Sequence, residues 1–200
     1  MTLIDTDKLD NGWTVETYYD EDPMSPRDAD NLGTLAIWHR SYDLGDKSHE
    51  VDVATAAMDR WGSYALTARY LRMFHGATVV LKVGMLDHSG ISLYSGGGAH
   101  CMDPGGWDSG TVGLIWDTPE GRAMTGVELA NVGAALEGEV REMASYVEGD
   151  VYGYRILDAD GEELDSCWGY IGHAYFAEAR DSAVEYLLET LPAQPTLEGV

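Results

Sequence analysis

The sequence predicts an α+β fold, a single domain of mostly antiparallel sheet packed with about three helices. Three observations lead there. Strand-like and helix-like segments are mixed without strict alternation, which disfavours a doubly wound parallel sheet. Two pairs of strand-like segments, within 77–94 and 150–170, read as antiparallel hairpins. Three longer stretches place apolar residues at spacings of three and four, the period of a half-buried helix.

Taken in order, Trp13, Val15, Thr17 and Tyr19 alternate along a first strand at 12–19, and 33–39 is a second. Residues 51–75 read as helical with Gly62 as the breaking point, and Ala54, Met58, Trp61, Ala65 and Ala68 on one face. Strands at 77–86 and 90–94 are joined by Asp87-His88-Ser89, read as an Asx-type turn into Gly90. A strand at 111–117 precedes a helix at 125–148, whose stripe is Leu129, Val132, Leu136, Val140, Met143 and Val147. Strands at 150–157 and 164–170 flank Asp158-Ala159-Asp160-Gly161, a hairpin turn in which Gly161 takes positive φ. A final helix at 172–191 sets Phe176, Ala179, Ala183 and Leu187 in one narrow sector. The expected domain spans 1–191, and Pro192-Ala193-Gln194-Pro195 opens a short tail at 192–200.

Two hundred residues are enough for a core without staples, so the unusual feature is charge. Thirty-five Asp and Glu oppose twelve Lys and Arg, a formal charge of −23. This argues against direct nucleic-acid binding, which needs a basic surface. Residues 1–30 hold nine acids and two bases, 137–165 ten acids and two bases, while 66–116 balance three of each. The neutral middle therefore reads as core sheet and the acidic ends as its solvated cover. The chain has no apolar run long enough to span a bilayer, and its first residues lack the pattern of a signal peptide. The expected location is the cytoplasm, with Cys101 and Cys167 reduced.

The last helix carries the first candidate site. Glu178, Asp181, Glu185 and Glu189 fall on the face opposite the apolar sector, a line of carboxylates roughly 16 Å long. Such a line imitates a nucleic-acid backbone, although the solvated face of any amphipathic helix has the same pattern. The second candidate is the stretch Gly90 to Gly113, with eight glycines, including Asp108, Ser109 and Gly110. It lacks the G-K-[ST] ending of a Walker A loop, and a mobile connection between core strands is the bland alternative. A third is nucleophilic: Cys167 with His88 or His39 brought up by the fold, against a buried cysteine beside Trp168. No Cys or His pair has zinc spacing, Asp158–Glu163 lacks the calcium-loop pattern, and no cofactor is expected.

Several segments carry a resemblance. They are Trp38-His39-Arg40-Ser41-Tyr42-Asp43-Leu44-Gly45-Asp46-Lys47, Asp87-His88-Ser89-Gly90-Ile91-Ser92 and Trp107-Asp108-Ser109-Gly110-Thr111-Val112-Gly113. With Glu148-Gly149-Asp150-Val151-Tyr152-Gly153-Tyr154 and Asp165-Ser166-Cys167-Trp168-Gly169-Tyr170, they resemble a family of proteins carried by bacteriophages and mobile elements of Gram-positive bacteria. The resemblance covers roughly 34–47 and 77–170, and implies a genomic setting, not a reaction. The expectation is an accessory protein that binds and inhibits a host protein with a basic surface. A nucleic-acid-directed defence enzyme, blocked by charge mimicry, is the expected target. The rivals are a small cysteine hydrolase using Cys167 and a minor virion component.

Overall fold

The computed structural model describes residues 1–191; the expected tail at 192–200 lies outside them. In chain order the elements are β1 (Thr2–Lys8), β2 (Thr14–Tyr19), β3 (Gly33–Ile37), α1 (His49–Trp61) and α2 (Tyr64–Phe74). Next come β4 (Val80–Asp87), β5 (Ile91–Ser95), β6 (Ser109–Asp117), α3 (Pro119–Thr125) and α4 (Val132–Glu148). The last are β7 (Val151–Leu157), β8 (Glu163–Ile171) and α5 (His173–Thr190). The class is α+β with antiparallel pairing, as expected, but with five α-helices and two four-stranded sheets among the described residues. Contacts gather into two compact units, one formed by Met1–Met24 with the chain from Gly149 onward, the other by Ser25–Glu148.

The second unit has strand order β3-β6-β4-β5. Alternation divides its side chains between two faces. Leu35, Val83, Met85, Leu93 and Ile115 pack with Val132, Leu136, Val140 and Met143 of α4. On the other face Ala36, Val80, Leu114 and Trp116 pack with Ala54 of α1 and with Ala68 and Leu71 of α2. The strands read as apolar runs because both faces are covered. Gly113 on β6 lets two strands approach: a Cβ there would lie 2.1 Å from the Ala36 carbonyl oxygen.

The helical reading of 51–75 resolves into two helices. Gly62 caps α1 in the left-handed region at φ 57°, and Ser63 restarts the chain as the N-cap of α2, accepting from the Leu66 amide. The restart resets the helical phase, so the single stripe predicted through Trp61 and Ala65 does not exist. Both of those are exposed; Ala54 and Ala68 of the predicted face are buried, together with Ala57, Thr67 and Leu71. The helix expected at 125–148 begins at Val132, because Gly126 caps α3 at φ 67° and a 3₁₀ turn at Leu129–Asn131 intervenes. Leu129 is accordingly exposed.

The first unit has strand order β1-β2-β7-β8. Trp13, Val15, Tyr152, Tyr154 and Ile156 form its core with Phe176 of α5. Residues 1–24 and those from Gly149 thus build a sheet and core of their own, while the acidic stretch 137–148 belongs to α4 and packs on the sheet of the second unit. The predicted hairpin forms between β7 and β8, with Gly161 at φ 86° and the Asp158 carboxylate accepting from the amides of Asp160 and Glu162. In β8, Trp168 and Gly169 lie together between the pairs Tyr152–Tyr170 and Tyr154–Cys167, a bulge with Gly169 at φ 82°. Trp168 lies over Gly153 and packs on Tyr18, ring centroids 5.5 Å apart.

Candidate functional site

The glycine-rich connection from β5 to β6 is a fixed loop and not a slack tether. The Gly96 amide donates to Lys82 O at 2.8 Å, the Gly98 amide to Thr111 Oγ1 at 2.8 Å, and the His100 amide to Ser109 Oγ at 2.8 Å. Asp103 closes the loop by accepting from the Asp108 amide at 2.9 Å and Ser109 Oγ at 2.8 Å. These bonds hold its carboxyl below the usual range. The amides of Gly96, Gly98 and His100 are thereby engaged within the protein.

The closed loop brings Asp108 beside the β4–β5 turn. That turn is made by Ser89 at φ 61°, with the His88 amide donating to Gly90 O at 3.0 Å. His88 Nδ1 lies 2.9 Å from Asp108 Oδ2, so the partner of His88 is not its neighbour Asp87. The Asp87 amide donates to Asp108 O at 2.8 Å, which sets the two carboxylates on adjoining strand ends. Tyr42 donates to Asp87 Oδ2 at 3.2 Å, and His39 stacks on Tyr42 with centroids 4.9 Å apart. His39, Asp87, Trp107, Asp108, Ser109 and Gly110 line a cavity of about 300 Å³. The Trp107 indole at its rim is 91% exposed.

The Asp108–His88 pair has the form of a general base, but an activated nucleophile is not assembled with it. Ser109 Oγ, the hydroxyl in the cavity wall, is engaged with Asp103 and the His100 amide. Cys167 belongs to the first unit, whereas His39 and His88 belong to the second. The thiol is exposed and lies opposite Tyr154 in the register, not buried beside Trp168 as the bland reading had it. Its hydrogen bond to Tyr170, with partial burial, pushes that phenol up to about 12.

On α5 the predicted acidic face is observed. Glu178, Asp181, Glu185 and Glu189 are all exposed, while Phe176 is buried and Ala183, Val184 and Leu187 pack on the core. Arg180 donates to Asp181 Oδ1 at 2.9 and 3.1 Å and approaches Asp7 at 3.6 Å. Elsewhere Lys47 pairs with Asp43, Arg122 with Asp117, and Arg155 with Glu16 and Glu163. Glu178, Glu185 and Glu189 have no ion-pair partner among the described residues.

No local sequence pattern points to the buried charge cluster around Arg27. Arg27 donates through Nε and Nη2 to both oxygens of Asp46, each at 2.7 Å, through Nη1 to Glu139 at 2.9 Å, and through Nη2 to Gly33 O at 2.6 Å. Burial works against the cation, but Asp46 and Glu139 outweigh it and raise the guanidinium pKa. Glu139 also accepts from the amides of Leu32 and Gly33, and Asp46 from Leu35. Arg27 and Asp46 of this cluster line the largest cavity described, about 800 Å³. Arg27 and Glu139 stand 112 positions apart, beyond the reach of any local pattern.

No protein-family model, curated protein or solved structure matches the chain. Among the described residues no His, Cys, Asp and Glu side chains gather as a metal site would require, and no helix is long and apolar enough to cross a membrane.

Proposed function

We propose that this chain is an acidic binding protein that occupies the basic, nucleic-acid-directed surface of a partner and inhibits it. The observation that carries the reading is the α5 face: four exposed carboxylates at helical spacing, three of them without an ion-pair partner among the described residues. Their potential adds to a net charge of −23, which steers association with a cationic groove. The resemblance to phage-carried proteins supplies a setting in which the partner is a host defence enzyme. The unengaged Asp–His pair and occupied Ser109 lend less to a hydrolase.

The test is capture from a bacterial lysate by the immobilised protein, beside an Asp181→Lys/Glu185→Lys variant. The wild type is expected to retain a nucleic-acid enzyme at low salt and release it at high salt. The same enzyme's activity should fall when the wild-type protein is added, and not when the variant is. Retention that survives the charge reversal would overturn the reading.

A further inference from the structure

We propose that the outer face of α2 binds a second copy of this chain, seating against the tyrosine-and-glutamate face of that copy's α5. Such self-association goes beyond the reading above and requires no host partner.

Helix α2 is buried on one side only. Thr67, Ala68 and Leu71 are buried, whereas Leu66, Met73 and Phe74 are 47%, 60% and 67% exposed. With the half-buried Tyr70 these fall at i, i+4, i+7 and i+8, one ridge roughly 12 Å long. The ridge is set before any partner arrives, because Tyr70 packs on Trp61 and Phe74 with ring centroids 5.3 and 5.4 Å away. An exposed apolar patch rimmed by polar groups marks an interaction surface. Its charge is opposite to that of the chain. α2 has no acidic residue; Arg69 and Arg72 run along one flank of the ridge, and Arg60 stands in the last turn of α1. All three arginines are exposed, and none has an ion-pair partner among the described residues, not even Arg60 with its neighbour Asp59. Arg72 spends one nitrogen on Val80 O at 3.0 Å.

A ridge with a cationic flank selects an apolar ridge with an anionic one. Two copies cannot pair α2 with α2, since that sets arginine against arginine. An anionic bilayer repels a chain of net charge −23. The α5 of a second copy carries the complement. At about 100° per residue Tyr175, Ser182 and Tyr186 form one line, and Glu178, Glu185 and Glu189 run beside it. All six are exposed, the two tyrosines at 65% and 64%. The three glutamates lack ion-pair partners among the described residues, as the three arginines do. Going round either helix in the sense of the chain, the charged flank comes just before the ridge. Antiparallel packing of the two helices therefore brings arginines to glutamates, whereas parallel packing leaves them on opposite sides of the contact.

Sedimentation velocity of the full chain over a concentration series reads the association, at about 0.15 M salt where repulsion between distant charges is screened. The wild type is expected to self-associate with a Kd on the order of tens of micromolar, the range of a small interface. Arg69→Glu and Glu185→Arg should each weaken this about tenfold. An equimolar mixture of the two should regain most of it, because the new glutamate on α2 then meets the new arginine on α5. Phe74→Ser changes no charge at an exposed position, should weaken association as much, and serves if a charge variant does not fold. A wild type that stays monomeric at about 0.5 mM overturns the inference. So does weakening that the mixture does not repair, or indifference to Phe74→Ser. Attachment of a monomeric wild type to phosphatidylglycerol vesicles through Phe74 overturns it in favour of a membrane surface. Lysate capture tells this failure from that of the proposed function. Capture by a monomeric wild type leaves the inhibitor reading standing, and self-association without capture leaves the α2–α5 contact alone.

Discussion

Arg27 grips both carboxylate oxygens of Asp46 at 2.7 Å, joining the 25–33 segment to the chain just before α1, while its third nitrogen reaches Glu139 on α4. Side chains in this cluster are 8% to 16% exposed, so the charges depend on one another instead of on water. Arg27→Met is expected to destabilise the fold by about 3–5 kcal/mol, because it strands two buried carboxylates. Arg27→Lys keeps the charge but loses the fork, and should fall between. Denaturant midpoints of the three proteins check the order; equality of the Met variant with wild type would refute the clamp.

Two glycines differ in what they lie against. An alanine Cβ at Gly153 would stand 2.1 Å from the Trp168 ring, a side chain that can turn away. At Gly113 the obstacle, at the same 2.1 Å, is the Ala36 carbonyl, fixed by its strand. Gly153→Ala should cost about 1–3 kcal/mol and be relieved by adding Trp168→Ala. Gly113→Ala should cost more and find no such relief. Thermal melts of the single and double variants measure both.

The tyrosines of the first unit set an alkaline limit. Burial, followed by Asp150 and Asp165 respectively, raises the Tyr152 and Tyr154 phenols, and the Cys167 bond with burial pushes Tyr170 up to about 12. A folded-state pKa above the unfolded value means the folded chain holds the proton more tightly. The resulting stability is complete below the unfolded pKa near 10 and is lost as pH rises toward and beyond 12. Phenolate absorbance at 295 nm should therefore lag for these residues and arrive together with loss of far-ultraviolet dichroism. Their ionisation near pH 10 in a fully folded protein would contradict the packing.

Salt separates two origins of the acidity. Each unit has an apolar core, so the protein should remain folded at about 0.01 M salt, where repulsion is least screened, with a modest rise in melting temperature as salt is added. Melting curves across that range decide it. Unfolding at low salt would assign the carboxylates to salt adaptation and remove the ground for a binding role.

What the sequence made legible tracks local periodicity. Alternation in β2 and the i, i+4 stripe of α4 arise because one face of each is buried, and both could be read directly. β1 could not: all seven of its residues are exposed, so it has no apolar rhythm to detect. The residues of the candidate site were each visible as chemistry, but not their partners. His88 and Asp108 meet only because Asp103 closes a loop of glycines, and Arg27 meets Glu139 only after the sheet has placed α4. The stripe drawn through Trp61 failed because one left-handed glycine changes helical phase.

The division of the chain has a consequence for its synthesis. β2 must pair with β7, whose residues leave the ribosome more than 130 positions later, whereas every strand of the other sheet lies between Ser25 and Glu148. The inner unit is therefore complete while the outer one still lacks half its sheet. During that interval the acidic β1–β2 hairpin waits with an open edge, and the density of carboxylates along it, Asp5, Asp7 and Glu16 among them, guards that edge against pairing with another nascent chain. The charge on this hairpin thus acts as protection while the chain is being made.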